Sequence, residues 1–204
     1  MARKVWVACA RISDIGARAL AEARKRLGPR DRRRYAAFSA QKRRREFLAG
    51  RWLLQESARA WRPAASKTLK FDSSPHRGVE VSGGAGASVS HAGDWVACVL
   101  VQRGTPGIDI EPMVERDFAA LDKWVADDEG DAAQLATGAD ARKAFYRRWT
   151  RYEARLKALG GAKTRASHVE MTYYLEEGVA LSVCLPSHAA AQAPHKPMII
   201  VSNN

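Results

Sequence analysis

Long hydrophobic runs and cysteines are both scarce in this sequence of 204 residues. The longest uninterrupted apolar run, Trp95–Val101, has seven residues, whereas a membrane-spanning helix needs about 20. The first seven residues contain no apolar core of a secretory signal. The cysteines, Cys9, Cys98 and Cys184, are odd in number and lie far apart, which excludes a disulfide framework and argues against a zinc module. We therefore expect a cytoplasmic protein with reduced thiols and no membrane contact.

Acidic residues are scarce in the first third of the chain. Residues 1–70 contain 20 Lys and Arg but only 5 Asp and Glu, whereas residues 71–204 contain 14 and 17. Such an uneven charge indicates an anionic partner, which is a nucleic acid, a phosphorylated small molecule or an acidic protein. A solvated basic surface is the alternative. The dense runs Arg32–Arg34 and Lys42–Arg45 favour the partner.

Helical and strand patterns occur in two blocks along the chain. We predict an α+β fold with a first domain at residues 1–104 and a second at residues 105–204. Ser13 or Asp14 is the predicted cap of the first helix, and Ser39 is the predicted cap of the third. The predicted helices cover residues 14–27, 31–38, 39–61, 117–124, 127–135 and 139–159. The predicted strands cover residues 4–10, 69–71, 79–81, 88–90, 95–102, 107–111, 169–175, 179–185 and 198–201.

Two carboxylates alternate along the predicted strand Gly107–Glu111. Because side chains alternate in a strand, Asp109 and Glu111 project from the same face. Neighbouring carboxylates repel each other unless a cation lies between them, and hard oxygen ligands of this kind suit Mg²⁺. A polar outer face of an edge strand is the alternative for these residues taken alone.

A third carboxylate lies on the last long predicted helix. Trp149, Glu153 and Lys157 are spaced four residues apart and therefore share one helical face. A surface Glu–Lys pair is the alternative, but the tryptophan indicates that this face is not simply solvated. Glu153 beside the first two carboxylates would complete a Mg²⁺ site open to a pyrophosphate. Lys157 would contact the same phosphates or the proton that moves.

Ser90 and His91 lie at the end of another predicted strand. A serine hydroxyl and an imidazole at a strand end can bind a phosphate through hydrogen bonds. A structural histidine is the alternative. The other histidines have no comparable surroundings in the sequence, so we assign them no role.

Four segments, taken in order, resemble the Sfp-type 4′-phosphopantetheinyl transferases. The family pattern combines an Arg-rich helix, a Ser-His-Ser segment, a Gly-Ile/Val-Asp-x-Glu strand and a Trp-x-x-Lys-Glu-Ala-x-x-Lys helix. The corresponding segments here are Arg44–Arg51, Val89–Ala97, Gly107–Glu111 and Trp149–Lys157. Each motif alone is weak, but four motifs in this order across residues 28–160 make the resemblance strong.

The resemblance implies two similar α+β halves, a pseudo-dimer within one monomeric chain, packed around a central cleft that holds coenzyme A. It implies the transfer of 4′-phosphopantetheine from coenzyme A to a serine of an apo carrier protein, with release of 3′,5′-ADP. No membrane or nucleic acid partner is expected. The residues implied are Asp109, Glu111 and Glu153 as Mg²⁺ ligands, Glu153 and Lys157 as catalytic residues, and Arg45, Arg51, Arg77, Ser90, His91 and Lys157 as coenzyme A ligands.

The sequence departs from the family pattern at four positions. Tyr152 stands where the family usually has Lys, directly before Glu153, and we expect it to line the cleft wall. Ala92 replaces the second serine, Glu46 lies near a position where Arg is common, and Arg77 stands in for the lysine of a Gly-Lys-Pro turn. These departures concern coenzyme A binding and leave the implied metal ligands unchanged.

Two other functions are left open by the residues. A basic, non-enzymatic module that binds nucleic acid would explain the arginine runs. It would not explain the three carboxylates, which would repel phosphates without a metal. A degenerate transferase fold that only binds carrier proteins is suggested by Tyr152. For the enzyme, the acceptor of the serine proton is Glu153, a metal-bound water or Lys157, and the class of carrier protein is not indicated.

Overall fold

Two β-sheets, each covered on its outer face by a long helix, form the core of the molecule. The computed structural model describes residues 4–64, 69–74, 78–116, 139–160, 168–175 and 178–202. The helices are α1 (Ala17–Lys25), α2 (Pro29–Ala37), α3 (Gln41–Trp61), α4 (Ala139–Leu159) and α5 (Ser187–Ala190). The strands are β1 (Val5–Arg11), β2 (Phe71–Ser74), β3 (Gly78–Val81), β4 (Gly86–Ala92), β5 (Trp95–Val101), β6 (Gly107–Pro112), β7 (His168–Leu175), β8 (Val179–Pro186) and β9 (Met198–Ile199).

The first sheet has the strand order β2-β3-β4-β5-β1-β9, and its neighbours are antiparallel except β1 and β9. Strand β5 is buried along its whole length. Val96, Cys98 and Leu100 belong to the core that includes α3, whereas Ala97 and Val99 belong to the core shared with the second sheet. Burial on both faces explains why β5 is an unbroken apolar run rather than an alternating one.

The second sheet has the order β6-β8-β7 and is antiparallel throughout. Leu181 of β8 packs towards the first sheet together with Ile108 and Ile110 of β6. Helix α4 covers the opposite face of this sheet. Because side chains alternate along a strand, Asp109 and Glu111 lie on the α4 side.

Gly107 allows α4 to approach β6 closely. A Cβ built at Gly107 would lie 1.7 Å from the carbonyl oxygen of Ala154, so only glycine fits this position. At the end of α4, Gly160 has a φ of +61° and donates its N–H to the Leu156 carbonyl at 2.8 Å. This is the usual left-handed glycine that ends a helix. The close packing of α4 brings its side chains beside the β6 carboxylates.

The predicted α+β class is confirmed, because both sheets carry packed helices. The predicted strand at residues 69–71 is misplaced, because β2 covers Phe71–Ser74. The predicted helices at residues 117–124 and 127–135 lie outside the described residues. The similarity of the two halves and their division after residue 104 stay predictions, and β9 near the carboxyl end pairs with β1 of the first sheet. No helix in the described ranges is long and apolar enough to cross a membrane.

The predicted helix caps are wrong. The N-cap residues are Gly16 for α1 and Ala40 for α3, and neither helix has a side-chain cap. Ser13 instead donates its backbone N–H and its hydroxyl to the Asp94 carboxylate, at 2.9 and 2.5 Å. A serine that reads as a local cap is therefore used for a long-range contact to the turn between β4 and β5.

Candidate active site

Side chains of β4, β6 and α4 converge on a pocket of about 330 Å³, which we call the carboxylate pocket. The structure brings together the three predicted metal ligands, the predicted catalytic lysine and both residues of the Ser-His segment. The lining residues are Val89, Ser90, His91, Asp109, Glu111, Trp149, Glu153 and Lys157.

Asp109 is the most deeply buried acid of the carboxylate pocket, with 4% of its surface exposed. Its Oδ1 accepts hydrogen bonds from Ser90 Oγ and from Lys157 Nζ, both at 2.7 Å. Its Oδ2 is buried and has no hydrogen-bond partner among the described residues. A buried carboxylate oxygen without a partner is costly, so this atom is a candidate ligand for a cation.

The Lys157 ammonium uses all three of its hydrogen atoms in hydrogen bonds at and around Asp109. Its Nζ donates to Asp109 Oδ1 at 2.7 Å, to Ser90 Oγ at 3.0 Å and to the Ile108 carbonyl at 3.1 Å. An ammonium group has three hydrogens and no acceptor, so the three contacts match it in number. Lys157 therefore acts as a charged donor in this arrangement.

Glu111 and Glu153 are half-buried beside Asp109. Burial, and then repulsion by the Asp109 charge, raises the pKa of Glu111 to about 7. The same two causes, partly opposed by Lys157, raise the pKa of Glu153 above its usual value. Three carboxylates beside one ammonium leave an excess of negative charge, which a divalent cation would compensate.

The donor set of the carboxylate pocket fits Mg²⁺, because carboxylate oxygens are the ligands that this ion takes and Asp109 Oδ2 has no partner within the described part of the chain. The three carboxylate side chains are nevertheless not gathered around one point. Among the residues that the structure describes, no three His, Cys, Asp or Glu side chains form a group able to hold a metal ion. The carboxylates thus share one pocket without converging on one point.

A cavity of about 1040 Å³, which we call the large cavity, adjoins the carboxylate pocket. Val89, His91 and Lys157 line both. Arg34 of α2 and Arg43 of α3 add two more cations to the wall of the large cavity. This volume lies at the upper end of ligand and cofactor sites, which span about 300–1,000 Å³. The large cavity therefore has the size and the charge to take an anionic organic ligand.

His91, Arg43 and Glu46 form a contact group on the wall of the large cavity. Arg43 Nη1 lies 3.2 Å from His91 Nε2 and 3.0 Å from Glu46 Oε2. Because a guanidinium only donates, this contact requires the tautomer of His91 in which Nε2 is the acceptor. Burial is the main cause that lowers the pKa of His91. Glu46 is the single carboxylate among the described residues that line this cavity.

The structure describes two of the three predicted arginine ligands and places them differently. Arg45 lies outside both pockets, and its Nη2 donates to the carbonyls of Ile12 and Ile15 at 3.0 and 3.1 Å. Arg51 reaches the wall of the large cavity, but its Nε and Nη2 donate to the buried Asp31 at 2.5 and 2.9 Å. Arg77 lies outside the described residues.

Helical periodicity would have found Arg43, which the sequence reasoning missed. Arg43, Phe47 and Arg51 are four residues apart and share the face of α3 that lines the large cavity. Arg45 is six residues before Arg51, so it lies about 120° away around the helix. Arg34 also lines the cavity, but nothing in the sequence distinguishes it from its neighbours in the same basic run.

Tyr152 lies among the lining residues of neither the carboxylate pocket nor the large cavity, contrary to the expectation that it lines the cleft wall. Its ring centroid is 6.5 Å from that of Trp149, and the Arg155 guanidinium lies 5.8 Å over it. Tyr152 directly precedes Glu153 and points about 100° away from it around the helix. The side chain therefore packs beside the site rather than into it.

Comparison with known families singles out the part of the chain that forms the carboxylate pocket. A sequence model of the 4′-phosphopantetheinyl transferase superfamily matches residues 105–174. This range contains β6, α4 and all of β7 except its last residue. It therefore includes the three carboxylates and the lysine of the carboxylate pocket.

Curated bacterial proteins match longer parts of the chain. The putative 4′-phosphopantetheinyl transferase of Haemophilus influenzae is 37% identical over 86 residues, which are 40% of this chain and 36% of that protein. The 4′-phosphopantetheinyl transferase AcpT of Escherichia coli K12 is 32% identical over 113 residues, 49% of this chain and 56% of that protein. The chain thus spans between about a third and just over half of these two relatives. AcpT of Salmonella typhimurium is 32% identical over 153 residues, 70% of this chain and 71% of that protein. With the pocket geometry, this match shows that the chain belongs to the 4′-phosphopantetheinyl transferase superfamily.

Proposed function

We propose that the protein transfers 4′-phosphopantetheine from coenzyme A to a serine of an apo carrier protein, with Mg²⁺ as cofactor and 3′,5′-ADP as the second product. The observation that carries this proposal is the junction of the carboxylate pocket with the large cavity at Lys157. A reaction at a pyrophosphate needs anion binding and charge compensation in adjoining places. The junction offers both.

Assignment to the Sfp type within the superfamily is part of the proposal. It is supported by the four ordered motifs, of which three contribute residues to the carboxylate pocket. The relatives named AcpT support the reaction class by their names.

Coenzyme A fits the large cavity by charge. Its phosphates would meet Arg34, Arg43 and Lys157, which come from three different helices. Hydrogen bonds from such cations to phosphate are roughly twice as strong as neutral ones. His91 adds a neutral hydrogen-bonding group, because burial lowers the pKa of its imidazole. Phe47 and Leu156 supply apolar wall for the uncharged parts of the ligand.

Asp109, Glu111 and Glu153 would hold Mg²⁺. When bound, the ion stabilises the negative charge that develops on the pyrophosphate. Ser90 holds Asp109 in place by donating to its Oδ1. Lys157 provides a second positive charge at the junction, next to the ligand that the large cavity would hold.

Glu153 is the proposed acceptor of the serine proton. Lys157 already donates three hydrogen bonds as an ammonium, so it does not fit the role of an acceptor. Burial raises the pKa of Glu153 in the metal-free protein. Glu153 also lies in the carboxylate pocket itself.

A monomeric enzyme in the cytoplasm is part of the proposal. The described residues of one chain line both pockets. The cysteines are free and buried, which supports the proposed cytoplasmic location.

Mass spectrometry of apo carrier proteins tests the function. Fatty-acid, polyketide and peptide-synthetase carriers are each incubated with the protein, coenzyme A and Mg²⁺. We expect one phosphopantetheine adduct on at least one carrier and an equal amount of 3′,5′-ADP. The adduct should be lost with EDTA, with Glu153→Gln and with a carrier whose acceptor serine is replaced by alanine. Absence of an adduct on all three carrier classes would overturn the proposal.

A further inference from the structure

Lys157 occupies the boundary between two compartments of opposite charge. Its ammonium lies on the carboxylate side, 2.7 Å from Asp109 Oδ1, while its side chain also lines the large cavity with the cations Arg34 and Arg43. The side chain is 31% exposed and Asp109 only 6%. Lys157 is therefore the mobile partner of this ion pair, because a long flexible stem carries its charge.

We propose that Lys157 is an internal counter-ion that a divalent cation displaces from Asp109, so that metal binding turns the ammonium towards the anionic ligand in the large cavity. The proposal rests on the proposed function for the cation site at Asp109 and for the identity of that ligand. It adds to that function a link between the two compartments, made by one side chain.

The two oxygens of Asp109 show why displacement is needed. Oδ1 is taken by Ser90 and Lys157, and Oδ2 has no partner in the described part of the chain. A cation that binds Oδ2 comes close to the ammonium on Oδ1, and like charges repel strongly at such distances inside a protein. Ser90 is neutral and stays. Lys157 is the group that must leave.

The Lys157–Asp109 ion pair also explains why the three carboxylates are separated. Without a metal, Lys157 compensates the Asp109 charge, and in the described ranges no three acids converge on one point. Departure of Lys157 leaves Asp109, Glu111 and Glu153 without their shared counter-ion in the pocket. Repulsion among them is then relieved by the ion that replaces Lys157.

Displacement makes metal and anion binding cooperative. The ammonium that leaves Asp109 loses three hydrogen bonds and recovers them most favourably on phosphate oxygens in the large cavity. By linkage, the ligand that binds the released Lys157 must tighten metal binding by the same factor.

Binding of Mn²⁺ to the nucleotide-free protein tests the displacement without measuring activity. Electron paramagnetic resonance of free Mn²⁺ is used for the wild type, Lys157→Met and the control Arg116→Gln. Arg116 is exposed and its charge acts on Glu111, so the control removes a nearby charge without removing the contact to Asp109. Loss of a charge-assisted contact that competes with the metal should tighten Mn²⁺ binding to Lys157→Met about tenfold. Arg116→Gln should change it less than about threefold.

Equal or weaker Mn²⁺ binding by Lys157→Met, or an equal gain in Arg116→Gln, would overturn the proposal. If Lys157→Met does not fold, Lys157→Gln is titrated in its place with the same expected result.

In a second experiment, Mn²⁺ should tighten binding of 3′,5′-ADP more in the wild type than in the Lys157 variant. A wild type that forms no carrier adduct would overturn the proposed function and leave the Mn²⁺ result to decide the displacement.

Discussion

The basic residues of α2 and α3 and the acidic residues of the carboxylate pocket differ in how far the protein itself satisfies their charges. Arg51 forms a buried pair with Asp31. Arg44 donates to the Phe38 carbonyl at 2.7 Å, and Arg45 donates to two carbonyls of the segment before α1. Part of the charge excess that indicates an anionic partner is thus used to hold helices α2 and α3 to the rest of the protein.

The carboxylate pocket shows the opposite situation. Asp109 has a buried oxygen without a partner in the described residues, and burial raises the pKa of both Glu111 and Glu153. These few acids carry more functional information than the many arginines, because their charges are left for something outside the chain to satisfy. The number of charges is a poorer guide to function than their compensation.

The largest effect is expected where a structural cation loses its partner. Asp31→Ala leaves Arg51 buried and unpaired, which should lower the free energy of unfolding by about 3–5 kcal/mol. Urea denaturation measures the loss. As a control, Glu80→Ala breaks the exposed pair with Arg30 and should cost at most about 1 kcal/mol. Equal losses in both variants would show that Arg51 is not a structural cation.

Loss of an unsatisfied acid should affect activity instead of stability. Asp109→Ala removes the central carboxylate of the pocket, so carrier modification should fall at least ~100-fold. The melting temperature should change little, because the partly exposed Lys157 can turn to water. Glu115→Ala, at an exposed acid, is the matched control. Activity of Asp109→Ala within about twofold of the parent at saturating Mg²⁺ would show that Asp109 holds no metal.

Two arginines on different faces of α3 distinguish a cation that binds ligand from a cation that stabilises the fold. Arg43→Ala removes a cation of the large cavity and should weaken coenzyme A binding about tenfold. Arg45→Ala should leave the affinity within about twofold and lower stability by about 1 kcal/mol, because two carbonyls lose their donor. Calorimetric titration and urea denaturation of both variants separate the roles. A larger loss of affinity in Arg45→Ala would reverse them.

The last expected effect is a pH dependence of stability from Glu111. Its pKa is raised from 4.5 to about 7 in the folded protein, so the folded state binds the proton more tightly than the unfolded state. The resulting stabilisation is fully present below about pH 4.5 and is lost as the pH rises through about 7. Melting temperatures of the metal-free protein should show this loss, and Glu111→Gln should reduce it. The part that remains comes from Glu153, because burial also raises the pKa of that carboxyl. A wild-type profile unchanged by Glu111→Gln would assign the pH dependence to other groups.

The strand and helix periods predicted much of the site. Alternation placed Asp109 and Glu111 on one strand face, and the four-residue spacing placed Glu153 and Lys157 on one helical face; the structure has both in one pocket. Local signals failed where a distant partner competes. Ser13 is used by Asp94 rather than by α1, because a cap position does not reveal which carboxylate will lie nearby.

The sequence by itself determined the α+β class and the residue types of the site, because periodicity and side-chain chemistry are local properties. Only the tertiary structure decided which charges remain unsatisfied. Gly107 shows the reason: its missing side chain lets Ala154 approach, and this contact sets where α4 lies on β6. The pairing of Lys157 with Asp109 depends on that approach and on Ser90 from the other sheet, and such distances between elements do not follow from the order of residues.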